Sequence, residues 1–268
     1  MLLFPNAKIN IGLRILNKRE DGFHNLESVF VPVPILDSLE FIESNQFSFE
    51  SSIEIPKDKS NSVIKAYELL KTDFDLPPIS IYLHKQISTG AGLGGGSSDG
   101  AFMLKGLNDY FELGINRETL ENYALEIGSD CPFFIDNKPK YVTGTGEILE
   151  DISISFSELY LVIINPMIHV NTKQAFQGIV PYDNHQNKLN EIITYTPISK
   201  WKDSVKNDFE HSVFTQFSEI ADIKRVLYEQ GAKYASMTGT GSTVYGFFEE
   251  KIDLNIFSDN YFKTICNL

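Results

Sequence analysis

The chain has 268 residues, of which 42% are hydrophobic and 22% charged, a composition typical of a globular protein with one large domain or two of moderate size. Its net charge of −13 excludes broad nucleic-acid binding, because no basic surface is available to neutralise phosphate backbones. No apolar run approaches the roughly 20 residues of a membrane span, and the first residues lack a signal-peptide pattern. Cys131 and Cys266 are too few for a disulfide framework, so a reducing, cytoplasmic setting without a membrane partner is predicted.

The first predicted element is a strand in which apolar and polar residues alternate from Ala7 to Ile15. A period of two places the apolar side chains on one face of the strand and puts Lys8 and Asn10 side by side on the other. Such a polar face is ordinarily solvated, and the alternation alone predicts that the face of Lys8 and Asn10 is exposed to solvent.

The next elements follow from turn residues and hydrophobic spacing. Asn61-Ser62 is typical of a helix N-cap, and helical spacing continues to Leu70. The predicted elements of this part are, in order, a turn at 21–22, strands over 27–33 and 39–42, a helix over 61–70 and a strand over 79–84.

The glycine-rich run Thr89–Asp99 is the most informative part of the chain, with five glycines between positions 90 and 96. A strand precedes it, and a helical pattern that Gly114 ends follows it. Strand, glycine loop and helix together direct free backbone N–H groups and the positive end of a helix dipole at an anion. A flexible surface turn is the alternative. The run predicts a phosphate cradle formed by Gly90, Gly92, Leu93, Gly94, Gly95, Gly96, Ser97 and Ser98.

The ending Ser97-Ser98-Asp99 makes the phosphate interpretation more specific. The two hydroxyls can cap the helix, and one of them can reach a phosphate oxygen or a Mg²⁺ ion. Asp99 is expected to complement the helix dipole. The loop lacks the Gly-Lys-Ser/Thr ending of a Walker A site, and no convincing acidic ribose partner follows it, so neither a P-loop nor a dinucleotide fold is predicted.

The remaining elements show no regular βαβ rhythm, which favours the α+β class. Asp130 follows a helix that Gly128 closes, and the alternative interpretation of this residue is the N-cap of a new helix. The elements predicted here are a helix over 120–127, a coarse boundary at 150–158, a strand over 159–164, helices over 173–178 and 220–229, and a strand-turn-strand over 234–248 with its turn at 238–242.

Three stretches together resemble the superfamily of galactokinase, homoserine kinase, mevalonate kinase and phosphomevalonate kinase, the GHMP kinases. They are the strand with Lys8, the loop at 90–98 and the turn at 238–242. The resemblance is strongest to the branch whose substrate carries a cytidine diphosphate, through the motifs at 6–10, 21–24, 94–99 and 128–134. It implies an ATP-binding domain over 1–153, like domain 2 of ribosomal protein S5, and a second domain over 154–268 that is a ferredoxin-like α/β sandwich.

The resemblance also implies a reaction, the transfer of the γ-phosphoryl of ATP to the 2-hydroxyl of a cytidylated methylerythritol in isoprenoid precursor synthesis. Asp130 would accept the hydroxyl proton, and Lys8 would sit near it and neutralise developing charge. Mg²⁺ is expected with ATP, although Ser98 is the single candidate protein ligand and not a secure one. A monomer or weak homodimer without nucleic-acid partners is expected.

By the same resemblance, Phe23 and His24 correspond to a cytosine site. Alone, His24 reads as a turn histidine and the turn at 238–242 as a plain hairpin turn. The other implied substrate residues are Asn10, Phe30, His169 and Thr172; Gly239, Thr240 and Gly241 would approach the triphosphate; and Asn61 and Lys65 are candidates for the adenine site.

The chain departs from the superfamily pattern at several positions, and none of these removes a catalytic group. They are Phe23 for a more common tyrosine, Ser88 for proline, Gly100 for alanine, and Thr238 and Thr240 for serines. Two other functions remain open: a related kinase acting on homoserine, mevalonate or a sugar, and a non-catalytic ligand sensor. A sensor would be expected to lose Lys8 or Asp130, and both are present.

Overall fold

A computed structural model describes residues 1–183 and 185–268. The described chain forms two compact units built from interleaved segments. Unit 1 comprises Met1–Ala7, Ile35–Thr89 and Gly94–Lys138, and unit 2 comprises Lys8–Pro34, Gly90–Leu93 and Pro139–Leu268. Most of the first two long strands thus belong to the unit that holds the C-terminal part, and the domain boundary at 153 stays a prediction.

The elements follow in chain order. The strands are β1 (Leu2–Leu3), β2 (Asn6–Lys18), β3 (His24–Leu36), β4 (Ser38–Glu43), β5 (Ser48–Ser51), β6 (Ile79–His84), β7 (Lys140–Thr143), β8 (Ile148–Asp151), β9 (Tyr160–Asn165), β10 (Tyr234–Met237), β11 (Val244–Phe248) and β12 (Phe262–Asn267). The helices are α1 (Ser62–Asp73), α2 (Gly95–Tyr110), α3 (Arg117–Ile127), α4 (Phe133–Asp136), α5 (Thr172–Gln177), α6 (Leu189–Tyr195), α7 (Trp201–Ser204), α8 (Phe209–Gln216) and α9 (Ser218–Glu229).

Unit 1 is a sheet in the order β1-β4-β6-β5 with helices packed together beside it. Strand β6 is antiparallel to β4 and parallel to β5, and its alternation buries Ile79, Ile81 and Leu83. The predicted cap of α1 is confirmed, because the Asn61 side chain accepts a hydrogen bond from the Val63 N–H at 2.9 Å. This sheet and α1 support the glycine-loop segment that opens α2.

The end of α3 at Gly128 is confirmed as well. The residue before α4 is Pro132, which occupies its N-cap position, so the interpretation of Asp130 as a helix N-cap is wrong. Proline is well suited to a helix start because its fixed φ fits the first turn. Asp130 therefore lies in the short connection between α3 and α4, not at the start of a helix.

Unit 2 contains two four-stranded sheets, in the orders β2-β3-β7-β8 and β10-β11-β9-β12. Central strand β9 is antiparallel to both β11 and β12, and its buried apolar run matches a strand covered on both faces. Leu13 and Ile15 of β2 join Val162, Ile164 and Leu227 in one apolar cluster. The α+β class is confirmed.

The polar face of β2 is not solvated, so the expectation from the alternation is wrong. Lys8, Asn10 and Arg14 are 4%, 1% and 5% exposed. A side chain from another strand meets this face, since Glu27 of β3 pairs with Arg14 at 3.3 Å. Three buried polar side chains on one face require hydrogen-bond or ionic partners. This face is therefore part of an organised polar site and not an outer surface.

No helix in the described ranges is long and apolar enough to cross a membrane. Cys131 and Cys266 form no disulfide and are both buried. Burial raises the pKa of the Cys131 thiol to about 12, so the thiol stays protonated and unreactive at neutral pH.

Candidate active site

The ammonium group of Lys8 is held in a defined place on β2. Its Nζ donates to Asn10 Oδ1 at 2.5 Å and lies 4.3 Å from the centroid of the Phe30 ring. Aromatic faces attract cations most strongly when both are withdrawn from water, as here. The amide and the ring together fix the position of a buried positive charge.

Asn10 connects this ammonium to the C-terminal turn of unit 2. Its Oδ1 also accepts the Gly239 N–H at 3.1 Å, and its backbone N–H donates to Thr238 Oγ1 at 3.0 Å. The Thr238 hydroxyl lies 3.0 Å from the carbonyl oxygen of Gly92, and the Lys8 N–H donates to the Leu93 carbonyl at 2.9 Å. The N-terminal strand, the first half of the glycine loop and the C-terminal turn therefore meet within unit 2.

Gly92 is the tightest point of this meeting. A Cβ atom there would lie 2.1 Å from the Thr238 carbonyl oxygen, and its φ of +79° is in the left-handed region. Asn207 secures the opposite side of the turn, because its Nδ2 donates to the carbonyls of Met237 and Gly239, each at 2.8 Å. Only glycine allows the loop and the turn to approach this closely.

The resemblance implies that this loop binds ATP, so replacing Gly92 by Ala is expected to raise the KM for ATP at least about tenfold, because the new methyl must push the loop and the turn apart. Steady-state kinetics and thermal unfolding measure the effect. The matched control is Gly114→Ala, which has a similar φ of +68° but open space around its Cβ, so it isolates the backbone strain of about 1 kcal/mol. Equal kinetics in the two variants would refute the close approach as the cause.

The second half of the loop belongs to unit 1 and opens α2. The N-cap is Gly94, with a φ of +70°, and no side chain caps the helix. The expectation that a serine hydroxyl caps α2 is therefore wrong, because the helix begins at Gly95 and both serines lie inside its first turn. The first N–H groups of an α-helix have no intrahelical acceptor, so this end of α2 presents backbone donors and a positive dipole end.

Asp99 does not serve the helix dipole as expected, because it is buried beyond the first turn and paired with Lys85. Lys85 Nζ donates to Asp99 Oδ2 at 2.7 Å and also to Asp37 Oδ2. Burial raises the pKa of Asp99 to about 7, a change that Lys85 opposes and Asp37 reinforces. For Lys85 the two carboxylates outweigh burial and raise the pKa, so the ammonium stays charged.

A cavity of about 170 Å³ in unit 1 adjoins this group. Its walls combine apolar residues with the ion pair of Lys85 and Asp99, and Asn61 is part of its lining. Lys65, the other candidate for adenine, is not among its lining residues, and its Nζ donates to the Glu126 carbonyl. The cavity is lined in part by Pro56, Leu83, Lys85, Thr89, Gly96 and Asp99.

The predicted cytosine residues lie at the start of β3 in unit 2. Phe23 is 65% exposed, while His24 is half-buried and stacks on Phe176 of α5, with ring centroids 5.1 Å apart and planes at 25°. This leaves one exposed ring and one stacked pair on adjacent residues. Such surfaces can hold a flat base.

His169 and Thr172 lie near the glycine loop and the C-terminal turn. A Cβ on Gly90 would lie 3.4 Å from His169 Nδ1, and Thr172 Oγ1 lies 3.4 Å from Thr240 Oγ1. Because Thr172 begins α5 and Phe176 lies one turn later, this short helix reaches from the loop cluster to the His24 stack.

Lys8 belongs to unit 2 and Asp130 to unit 1. Asp130 is half-buried in the connection after α3, where the Cys131 N–H donates to the Gly128 carbonyl at 3.1 Å. The expected proximity of Lys8 and Asp130 stays a prediction.

Sequence reasoning missed Phe176, and also Lys85 with its partner Asp37. Phe176 carries no local signal, because an aromatic residue in a short helix reads as core. A lysine at a strand end reads as a solvated residue, and only the fold brings Lys85 to two buried carboxylates. Asp37, between two predicted strands, and the charged Asp99 were the available signals, and neither identifies Lys85 as a partner.

Comparison with known families agrees with this geometry. The model of the GHMP kinases N terminal domain matches residues 61–138, and the model of the GHMP kinases C terminal domain matches residues 197–262. Together they cover more than half of the chain, including the whole glycine loop and the C-terminal turn. The class that the fold and the site define is a GHMP kinase.

More specific relatives carry the assignment further. A 4-diphosphocytidyl-2-C-methyl-D-erythritol kinase of Bacteroides fragilis is 49% identical over 94% of both chains, and one of Parabacteroides distasonis is 46% identical over 97% of both. A crystal structure of 4-(cytidine 5'-diphospho)-2C-methyl-D-erythritol kinase matches with a TM-score of 0.78 and 27% identity, over 92% of this chain and 89% of the other. The chain belongs to the GHMP kinase family, in its group of 4-diphosphocytidyl-2-C-methyl-D-erythritol kinases.

Proposed function

We propose that the protein transfers the γ-phosphoryl of ATP to the 2-hydroxyl of 4-diphosphocytidyl-2-C-methyl-D-erythritol, giving the 2-phosphate and ADP, in the non-mevalonate route to isoprenoid precursors in the cytoplasm. The relatives at 46–49% identity over nearly the whole chain support the substrate. The observation that carries the mechanism is the cluster in which Lys8, Asn10, the loop at 90–93 and the turn at 238–241 are bonded together.

Phosphoryl transfer passes through a loose transition state, so positioning and charge neutralisation supply most of the catalysis. Asp130 accepts the proton of the acceptor hydroxyl and orients its oxygen. Lys8 neutralises charge that develops on the transferred group. Asn10 is a positioning residue, because it holds the Lys8 ammonium and ties it to Gly239.

The triphosphate is bound by backbone N–H groups of the glycine loop and by the start of α2. The C-terminal turn at 239–241 contributes to the same task. The cavity beside Gly96 takes the base of ATP, since Pro56 and Leu83 offer apolar walls and Asn61 and Lys85 offer polar groups. Asn61 contributes as part of the wall, because its amide already bonds Val63 and Pro56.

ATP reacts as its magnesium complex, and one residue, Ser98, is suited to be a ligand of the metal ion. The described residues contain no group of three or more His, Cys, Asp or Glu side chains able to hold a metal ion. The Oγ of Ser98 is buried and has no hydrogen-bond partner within the described ranges. It would supply one oxygen, with phosphate oxygens and waters as the other ligands, and the bound ion would neutralise phosphate charge.

The cytidine end of the substrate is bound at the start of β3. Phe23 stacks on the base with its exposed ring, and His24 reads the hydrogen-bonding edge from a position that Phe176 fixes. This pair distinguishes the proposed substrate from homoserine, mevalonate or a sugar, none of which offers a base to stack.

The test is ADP release with ATP and Mg²⁺ across four acceptors: the cytidylated methylerythritol, methylerythritol 4-phosphate, homoserine and mevalonate. We expect turnover with the cytidylated acceptor alone. Turnover with another acceptor would leave the phosphate site intact but refute the cytosine site. ATP binding without turnover on any acceptor would favour the ligand sensor.

A further inference from the structure

The turn between β7 and β8, at 143–147 in unit 2, lies outside every predicted site residue. Gly144 and Gly146 have φ values of +71° and +127°, which bend the turn back on itself. The carboxylate of Glu147 folds over it, and Oε2 accepts the Thr145 N–H at 2.6 Å and the Thr145 hydroxyl at 2.9 Å. Glu147 therefore fixes the shape of this turn.

The turn is attached to β3 through the backbone. The Leu26 N–H donates to the Gly144 carbonyl at 2.7 Å, beyond the regular pairing of Ser28 with Val142. This bond extends the contact between β3 and its neighbour toward the strand start. Leu26 is two residues from His24, so the turn supports the segment that carries the predicted cytosine site.

The carboxylate of Glu147 stays charged where it folds over the turn. Burial alone would raise the pKa of Glu147, but hydrogen bonds from residues 145 and 147 and the positive charge of Arg19 outweigh it and lower the pKa. Arg19 is part of the turn that presents Phe23: its N–H donates to the Phe23 carbonyl at 2.8 Å, and its guanidinium pairs with Asp21 at 2.8 Å. The Asp21 carboxylate in turn accepts the Phe23 N–H at 3.0 Å.

We propose that Glu147 is a positioning residue for cytidine recognition: it holds the turn at 143–147, which fixes the segment of His24 through the bond from Leu26 to Gly144. The inference rests on the proposed function, since it concerns the affinity of the same cytidine site. Glu147 acts through its neighbours, so it sets substrate affinity and leaves phosphoryl transfer unchanged.

The test measures binding of cytidine 5'-diphosphate by calorimetry, with steady-state kinetics on the full chain. Glu147→Ala removes both bonds to Thr145 together with the carboxylate charge, and it is expected to weaken cytidine diphosphate binding about tenfold. Glu147→Gln keeps an oxygen that accepts from Thr145 but loses the charge, so about a threefold loss is expected. In both variants the KM for ATP and kcat stay within about twofold of the wild type.

The matched control is Glu150→Gln, the same chemical change at an exposed position on β8, for which no loss is expected. Unchanged cytidine diphosphate binding in Glu147→Ala would overturn the proposal. A parallel rise in the ATP KM with a lower unfolding temperature would also overturn it, because that result identifies a general structural role. If Glu147→Ala does not fold, Glu147→Gln decides alone. Weaker cytidine diphosphate binding with an unchanged KM for ATP then supports the proposal, and unchanged binding of cytidine diphosphate overturns it.

Failure of the inference differs from failure of the proposed function. A wild-type protein that neither binds cytidine diphosphate nor phosphorylates the cytidylated acceptor would refute both. A wild-type protein that does both, with Glu147→Ala indistinguishable from it, would refute the role of Glu147 alone.

Discussion

Replacing Asp130 by Asn is expected to lower kcat by about 10²- to 10⁴-fold, the usual contribution of a positioned general base. The amide has nearly the same shape as the carboxylate but cannot accept the hydroxyl proton. The dissociation constants of ATP and of the cytidylated acceptor are therefore expected to stay within a few-fold of the wild type. Single-turnover kinetics and calorimetry separate the two effects.

The matched control for this variant is Asp109→Asn, which makes the same change at an exposed position on α2. It should turn over at the wild-type rate. An Asp130→Asn protein that keeps nearly full kcat would exclude Asp130 as the base. A loss of activity accompanied by a loss of ATP binding would assign Asp130 to the fold of unit 1 and not to the chemistry.

Replacing Lys8 by Met is expected to lower kcat by about 10²- to 10³-fold, because the charge that we propose to neutralise the transition state is lost while the length of the side chain is kept. The Phe30 ring and the amide of Asn10 remain, and Asn10 still bonds Gly239 and Thr238. The loop and turn should thus stay assembled, and both KM values should change little. Steady-state kinetics with each substrate varied in turn separates the effect on kcat from the effects on the two KM values.

Lys18→Met is the control for Lys8→Met, since Lys18 lies on the same strand and is exposed. It should leave kcat unchanged. If Lys8→Met raised the KM for ATP and spared kcat, the ammonium would act in ground-state binding of the triphosphate, and its assignment to the transition state would be wrong.

Periodicity and turn chemistry predicted much of the fold, because both are local properties of the sequence. The strand at 79–84 is found with the same bounds, and α1 begins after Asn61 as its cap predicts. Short elements without a period escaped prediction, among them β1, β7 and β8. Their existence depends on partners far along the chain, such as Leu2 opposite Glu40.

The errors at the site have a common physical cause. Ser97 and Ser98 have high N-cap preference, but the left-handed Gly94 starts α2 without a side-chain cap. Asp99 suits a helix start by charge, but burial beside Lys85 decides its role. In both cases a neighbour or a tertiary contact outweighed a local preference.

For Lys8 and Asn10 the local prediction was correct as far as it went. Alternation placed them on one face correctly, but it could not tell a solvated face from a site, because burial depends on what the fold brings against it. The His24–Phe176 stack and the support from Glu147 lie equally beyond local signals. Motif resemblance supplied the first residues of the site, and the structure supplied their supports.

The most direct test of the central claim is a proton-coupled ³¹P spectrum of the product formed from ATP and the cytidylated acceptor. The 2-carbon of a 2-C-methyl tetritol bears no hydrogen, so a phosphate on its oxygen has no three-bond proton coupling. Transfer to the 2-hydroxyl gives one new unsplit monoester signal for each ADP formed, with the diphosphate signals of the acceptor retained. A monoester split by carbinol protons, or ADP formed without any new monoester, would contradict it.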